Sequence, residues 1–156
     1  MGQAASSNLV DFGPGTRFQP VLADPLSDRA KVQRVVLLSG KVYYELVKER
    51  QARSLNDVVA LVRIEELAPF PFAELEQMLS LYSKATKLIW LQEEPRNQGA
   101  NTHVKDRILS VLEKLGKKGL GLEYIGRQES SIPAPGIGKL YQSQQKKLVE
   151  GPFEGL

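Results

Sequence analysis

Two adjacent carboxylates, Glu93 and Glu94, lie in the segment WLQEEPRNQGAN at residues 90–101, one residue beyond the apolar run KLIWL. Paired carboxylates serve as general acid and base, as metal ligands or as a polar turn. Adjacent side chains at a strand end point to opposite faces, so they cannot flank one bond as the paired acids of a glycosidase do. A metal site needs further ligands, and Asn97 and Asp106 are weak candidates. We therefore expect no catalytic residue here.

A structural interpretation accounts for more of this segment. Pro95 ends the strand because it cannot donate to the sheet, and Asn97 and Asn101 are both candidate N-caps of a following helix. Gly99 is expected to supply an unusual backbone angle before that helix. We predict a structural or interface loop formed by Glu93, Glu94, Pro95, Asn97 and Gly99. One of its glutamates is expected to pair with an arginine such as Arg63 or Arg127.

A second candidate site is the segment Ser39-Gly40-Lys41, between a strand and a helix. N–H groups at a helix start attract anions, and Lys41 adds a positive charge. Arg63 and Arg127, near other strand ends, are candidates for a second phosphate contact, since a guanidinium binds phosphate through two hydrogen bonds. The alternative is that Ser39 or Gly40 simply caps the helix. The GxxxxGK[ST] spacing of a P-loop is absent.

Composition excludes several classes of function. The chain has no cysteine, which excludes thiol catalysis and disulfides, and its single histidine, His103, excludes a multi-histidine metal site. We expect His103 to be a partly exposed surface residue. The net charge is +3 and the basic residues are spread out, so we expect no nucleic-acid partner. No apolar run reaches about 18 residues, so we expect no membrane span, although Gly2 fits a myristoylation pattern.

Apolar runs alternate with amphipathic segments from residue 33 onward. Strands are predicted at residues 34–40, 58–67, 87–94 and 122–127, and helices at 41–53, 72–82, 104–115 and 139–150. This alternation predicts an α/β fold, a mostly parallel sheet with helices on both faces, whose ligands bind beyond the carboxyl ends of the strands. Residues 1–33, which contain Gly13-Pro14-Gly15, Pro20 and Pro25, are predicted to form an extended N-terminal arm, and residues 34–156 the domain.

The motifs SGKVYYEL, ALVRIEELAPFPF, WLQEEPRNQGA and IGR…PAPGIG occur in this order, and FGPGTRFQPVL precedes them. Together, from about Ala4 to Val149, they resemble the C-terminal domain of the thiamine-diphosphate-dependent decarboxylating component of 2-oxoglutarate dehydrogenase and its 2-oxoadipate relative. The resemblance implies a transketolase C-terminal-like fold with a mostly parallel five-stranded sheet flanked by helices.

The resemblance also implies a function. The domain packs at a homodimer interface, while thiamine diphosphate and Mg²⁺ are bound by upstream domains whose motifs this chain lacks, so no catalytic residue is carried over. Expected partners are a second copy or a full-length relative, and a lipoyl-bearing succinyltransferase complex. The expected location is mitochondrial, with the cytoplasm as the alternative. Some members bind nucleotide or acyl-coenzyme A effectors in this domain. The alternative function is a stand-alone, non-catalytic paralogue that dimerises or binds an anion or nucleotide.

Overall fold

A computed structural model describes residues 6–26 and 28–156. The strands and helices are β1 (Val21–Leu22), β2 (Arg34–Leu38), α1 (Val42–Ala52), β3 (Val59–Ile64), α2 (Phe72–Ser80), β4 (Lys87–Pro95), α3 (Asn101–Lys114), β5 (Glu123–Arg127) and α4 (Gly138–Glu150). Every strand and helix predicted from residue 34 onward is present, with bounds that differ by a few residues. The myristoylation pattern at Gly2 lies outside the described residues. Within them, no helix combines the length and apolarity that crossing a bilayer requires.

The five strands form one sheet in the order β1-β3-β2-β4-β5. β2 pairs in parallel with β3 and β4, and β4 pairs in parallel with β5, whereas β1 is antiparallel to β3. The prediction of a mostly parallel five-stranded sheet is confirmed. The chain passes from the central β2 outward to β3 and then returns across β2 to β4. The sheet is therefore built outward in both directions from β2.

Two apolar cores cover the two faces of the sheet. Alternate residues of β2 face opposite cores, and all five are buried, as a central parallel strand requires. Helices α2 and α3 pack on one face, through residues that include Leu75 and Ile108. Helices α1 and α4 pack on the other, through residues that include Leu46 and Leu148. The loops after β2 and β4 therefore leave the sheet toward opposite faces.

The N-terminal segment that we predicted as an arm contains residues that are integrated into the sheet. Val21 pairs with Ile64 in β3, and the main chain of Pro20 accepts hydrogen bonds from residues 65 and 66 just past that strand. Val32 is fully buried, and so is Asp24, whose carboxylate pairs with Arg50 of α1. The boundary between an arm at residues 1–33 and a domain at residues 34–156 stays a prediction, which truncated chains would test.

Candidate functional site

A crevice of about 660 Å³ opens beyond the carboxyl ends of β2 and β4. Its walls are residues 39–41, 67–68, 92–94 and 98–100, together with Trp90 and His103. Because the chain turns to opposite faces after these two neighbouring strands, the crevice lies at the topological switch point of the sheet, where open α/β folds bind ligands. Its volume falls in the range of small-molecule pockets. We therefore take this switch crevice as the candidate site.

One wall of the switch crevice is the predicted segment Ser39-Gly40-Lys41. Gly40 has a φ of +79°, a left-handed conformation that favours glycine and lets the chain turn from strand to helix. The N-cap of α1 is Lys41, and no side chain caps this helix. The prediction that Ser39 or Gly40 caps α1 is therefore wrong. No side chain caps the first turn of α1, but the N–H groups of Tyr43 and Tyr44 donate to the main-chain oxygens of Gly40 and Lys41. An anion there would rely on the Lys41 side chain and on the N–H groups that precede Tyr43.

The opposite wall carries the two carboxylates. Glu93 Oε1 lies 3.8 Å from Lys41 Nζ and accepts a hydrogen bond from Gln145 Nε2 at 3.2 Å. Glu94 is exposed and contributes to raising the pKa of Tyr124, although burial of the Tyr124 ring is the main cause. The two side chains thus point apart, as expected for neighbours at a strand end. They do not form a catalytic pair.

Arg63 is not the partner of either glutamate from this loop. Its guanidinium lies 3.6 Å from Glu65 Oε1 and stacks 4.3 Å from the centre of the Tyr43 ring. Arg63 does not line the switch crevice. The predicted pairing with Glu93 or Glu94 is wrong because the Arg63 side chain is engaged at the end of β3.

Arg127 lies at the end of β5 and is also outside the crevice lining. It is 8% exposed, and it donates from Nη1 to the main-chain oxygen of Glu93 and from Nη2 to Gln145 Oε1, each at 2.8 Å. Gln145 Nε2 in turn donates to Glu45 Oε2 as well as to Glu93. The predicted ion pair between Arg127 and a loop carboxylate is therefore replaced by a bond to the backbone. The two arginines do not converge on Lys41.

Gln92 organises the loop that follows β4. Its Oε1 accepts from Trp90 Nε1 at 3.0 Å and from the main-chain N–H of Asn101 at 2.8 Å. Its Nε2 donates to the two main-chain carbonyls that end the strand. A Cβ on Gly99 would lie 2.4 Å from Gln92 Nε2, and Gly99 does not have a positive φ. The predicted unusual angle at Gly99 is wrong; glycine is required there because the Gln92 side chain fills the space.

Neither asparagine of the loop is an N-cap. The N-cap of α3 is Ala100, and Asn101 is already the first helical residue. Asn97 instead exchanges two hydrogen bonds with the main chain of Ser130, at 3.0 and 3.1 Å. The predicted caps are wrong because the side chain of Gln92, which lies on β4, accepts the hydrogen bond from the first N–H of α3. Asn97 ties this loop to the crossing that leads to α4.

His103 lies in the first turn of α3 and is half-buried, as predicted. Its Nε2 is 2.8 Å from the main-chain oxygen of Leu67. Because a carbonyl oxygen only accepts, Nε2 carries the proton and Nδ1 keeps the lone pair in the neutral ring. The histidine therefore fixes the loop after β3 against α3 and has no nucleophile as its hydrogen-bond partner.

The charges of the crevice decide which chemistry it can perform. The crevice lining holds one cation, Lys41, and two carboxylates, Glu93 and Glu94, so a polyanion would be attracted by one group and repelled by two. Within residues 6–26 and 28–156, no group of three or more His, Asp or Glu side chains could hold a metal ion. The crevice residues therefore do not fit thiamine diphosphate with Mg²⁺. The geometry is suited to binding.

Gln92 and Gln145, whose side chains hold the loop after β4 through hydrogen bonds, were not singled out from the sequence. Gln92 carried a usable signal, since it follows five residues of an apolar strand at a position that the sheet buries. Gln145 carried none, because its partners Glu45 and Glu93 lie 100 and 52 residues away along the chain. The packing of α4 against α1 and β4 brings them together.

Comparisons with known proteins agree with this geometry. A profile of the family described as 2-oxoglutarate dehydrogenase C-terminal matches residues 6–153. The chain is 43% identical over 155 residues to the 2-oxoglutarate dehydrogenase E1 component of Azotobacter vinelandii, a match that covers 97% of this chain and 16% of that protein. It is 40% identical over 150 residues to the 2-oxoadipate dehydrogenase complex component E1 of Danio rerio, covering 96% and 16%.

A solved structure shares the fold. The chain described as a split gene transketolase, inactive beta4 tetramer, superposes with a TM-score of 0.56 at 13% identity, covering 90% of this chain and 43% of that one. At this identity the likeness concerns the fold alone. The chain thus spans 16% of the length of the curated relatives named above, and the family profile covers nearly all of it. This chain belongs to the 2-oxoglutarate dehydrogenase C-terminal family.

Proposed function

We propose that this chain serves as the C-terminal domain of a 2-oxoglutarate or 2-oxoadipate dehydrogenase, in which it supports subunit assembly and supplies no catalytic residue. The observation that supports this is the match over 97% of the chain to a segment that makes up 16% of an E1 component. The crevice residues agree with it, because they form hydrogen bonds with one another and present no paired acid and base. Binding and packing are what this arrangement can do.

The catalytic part of the proposal is tested with the purified chain. We expect no decarboxylation of 2-oxoglutarate or 2-oxoadipate in a ferricyanide-reduction assay with thiamine diphosphate and Mg²⁺. The full-length E1 component of Azotobacter vinelandii is the positive control. Turnover that rises in proportion to the concentration of this chain would overturn the assignment.

The proposed partners are a second copy of the chain or a full-length relative. Support comes from exposed apolar side chains such as Phe12, Phe18 and Ile137, which favour association in water. Light scattering at tens of micromolar and co-purification with the Danio rerio relative test this. A monomer that does not bind the relative contradicts the assembly role.

The full-length enzyme would supply the thiamine diphosphate and Mg²⁺ sites and the contact with a lipoyl-bearing succinyltransferase. We propose a mitochondrial location on the basis of the eukaryotic 2-oxoadipate dehydrogenase relatives, which would connect the chain to lysine degradation. Bacterial relatives match as well, which makes the cytoplasm the alternative. Fractionation of the source cells with an antibody to this chain separates the two.

A second proposed function is effector binding in the switch crevice. The observation that favours it is the start of α1, which has no side-chain cap and lies beside Lys41 in a crevice of about 660 Å³. Arg63 and Arg127 lie outside this lining, so the anion site rests on Ser39, Gly40 and Lys41. Binding of a nucleotide or an acyl-coenzyme A would require the anion to compete with Glu93 for the lysine.

Calorimetric titration with AMP and with acetyl-coenzyme A at low salt tests this function. Lys41→Ala should weaken binding by about 1–3 kcal/mol, as expected for a lost charge-assisted bond, and higher salt should weaken it further. Lys48→Ala is the matched control, because Lys48 is exposed on α1 outside the crevice. No heat at millimolar ligand, or an equal effect of both variants, excludes the site.

A further inference from the structure

Most of the large apolar side chains that the structure leaves exposed fall into two groups. The first, which we call the apolar arm (residues 9–18), holds Leu9, Val10, Phe12 and Phe18, each at least 68% exposed. The second, the apolar rim, lies in the crossing after β5 and the start of α4. It consists of Ile132, Ile137, Leu140 and Tyr141. Exposed apolar groups of this size mark interaction surfaces.

The apolar arm has a defined local conformation. Leu9–Phe12 forms a single 3₁₀ turn, whose start is closed by a hydrogen bond from Asn8 N to Asp11 Oδ2 at 2.8 Å. The turn after it is held by Thr16 Oγ1, which donates to the main-chain oxygen of Gly13 at 2.7 Å. Its apolar side chains are thus presented before any partner binds, which lowers the entropy lost on docking.

A cavity of about 160 Å³ lies beside the apolar rim, and we call it the rim cavity. Part of its wall is apolar, and the rest is polar. The apolar lining residues are Pro95, Ile132, Pro135 and Leu140, and the polar ones are Arg127, Gln128, Glu129, Ser130 and Gln144. An apolar protein cavity of about 150 Å³ accommodates one benzene molecule. The rim cavity therefore has room for one phenyl ring.

We propose that Phe12 of one chain inserts into the rim cavity of a second copy and that the second copy reciprocates. This inference rests on the proposed assembly function and names its surface. Both groups are exposed within one chain, so the arm does not cover its own rim. Reciprocal exchange uses the same two surfaces twice and closes as a two-fold dimer, without leaving a surface for further growth.

The charges of the two groups agree with this exchange. Arg17 on the apolar arm and Glu129 on the wall of the rim cavity are exposed and of opposite sign, and neither belongs to an ion pair among the described residues.

Sedimentation velocity on the full chain tests the exchange. Phe12→Asp and Leu140→Asp should each raise the dimer dissociation constant by about tenfold or more. Leu81→Asp is the matched control, since Leu81 is exposed but lies outside both groups. Arg17→Glu and Glu129→Arg should each weaken the dimer, and a chain carrying both should recover it.

Site-specific cross-linking gives a second readout, because the chain has no native cysteine. A Phe12→Cys chain mixed with a Leu140→Cys chain under mild oxidation should form a mixed disulfide, whereas Phe12→Cys mixed with Leu81→Cys should not. A dimer that persists in all variants without this cross-link overturns the exchange and leaves the assembly role intact. A monomer that still binds a full-length relative has the same meaning. A chain that is monomeric and also fails to bind a full-length relative contradicts both the exchange and the assembly role.

Discussion

Asp24→Asn is predicted to be strongly destabilising, because Asp24 neutralises a buried guanidinium. Asp24 is fully buried, and its carboxylate pairs with both terminal nitrogens of Arg50 and accepts from Leu61 N at 2.6 Å. Arg50 also donates to the main-chain oxygen of Val59. Removing one partner of such a pair costs about 3–5 kcal/mol, since an uncompensated charge stays buried. We expect Asp24→Asn to lower the free energy of unfolding by about 3 kcal/mol, at the lower end of this range, because its amide oxygen can still accept from Leu61 N.

Asp24→Ala should cost about 1–3 kcal/mol more, because it also leaves the Leu61 N–H without an acceptor. Urea unfolding followed by the fluorescence of Trp90, the single, buried tryptophan, measures both variants. Glu150→Gln is the control: its partner Lys146 is exposed and 3.9 Å away, so the loss should be about 0–0.5 kcal/mol. A loss below about 1 kcal/mol for Asp24→Asn at an unchanged denaturant slope would refute the reasoning.

Three further predictions follow from buried contacts. At protein concentrations low enough for the chain to be monomeric, removing residues 1–18 should leave the urea midpoint unchanged, whereas removing residues 1–33 should abolish cooperative unfolding, because it deletes β1 and the buried Asp24. Gly99→Ala should lower the free energy of unfolding by about 1–3 kcal/mol, because its Cβ would meet the Gln92 side chain. Adding Gln92→Ala to the same chain should relieve part of that loss, and additive effects of the two substitutions would contradict this. Burial raises the pKa of Tyr82, so the contribution of this tyrosine to stability is complete below about pH 10 and is lost as the pH rises further. The free energy of unfolding should therefore decline less steeply from about pH 8 to about pH 11 in Tyr82→Phe than in the unsubstituted chain. An identical decline in the two chains would contradict this.

The fold could be predicted because its strands are local apolar runs. The run Arg34–Leu38 is apolar after its first residue, as a parallel strand buried on both faces requires, and the helices show apolar faces with the period of an α-helix. The two-residue strand β1 could not be found in this way, since it is too short for any periodicity and forms only by pairing with β3. The Asp24–Arg50 pair could not be predicted either, because the two residues meet only in the folded chain.

The position of the site was predictable and its contacts were not. Ser39-Gly40-Lys41 and Glu93-Glu94 follow two strands, and parallel strands bring such ends to one edge of the sheet. Which way Arg63 or Arg127 points depends on register, because a shift of one residue turns a side chain to the other face. From the sequence we predicted these arginines as partners of the glutamates, whereas in the structure Lys41 is the cation that faces Glu93.

The central claim is that this chain is a C-terminal domain that supports assembly and carries no catalytic residue. The most direct test replaces the matching segment of the Azotobacter vinelandii E1 component with this chain and measures subunit assembly and 2-oxoglutarate turnover together. We expect the chimaera to assemble and to retain turnover, whereas an E1 component that lacks the segment does neither. A chimaera that folds, as judged by circular dichroism, but fails to assemble would contradict the account.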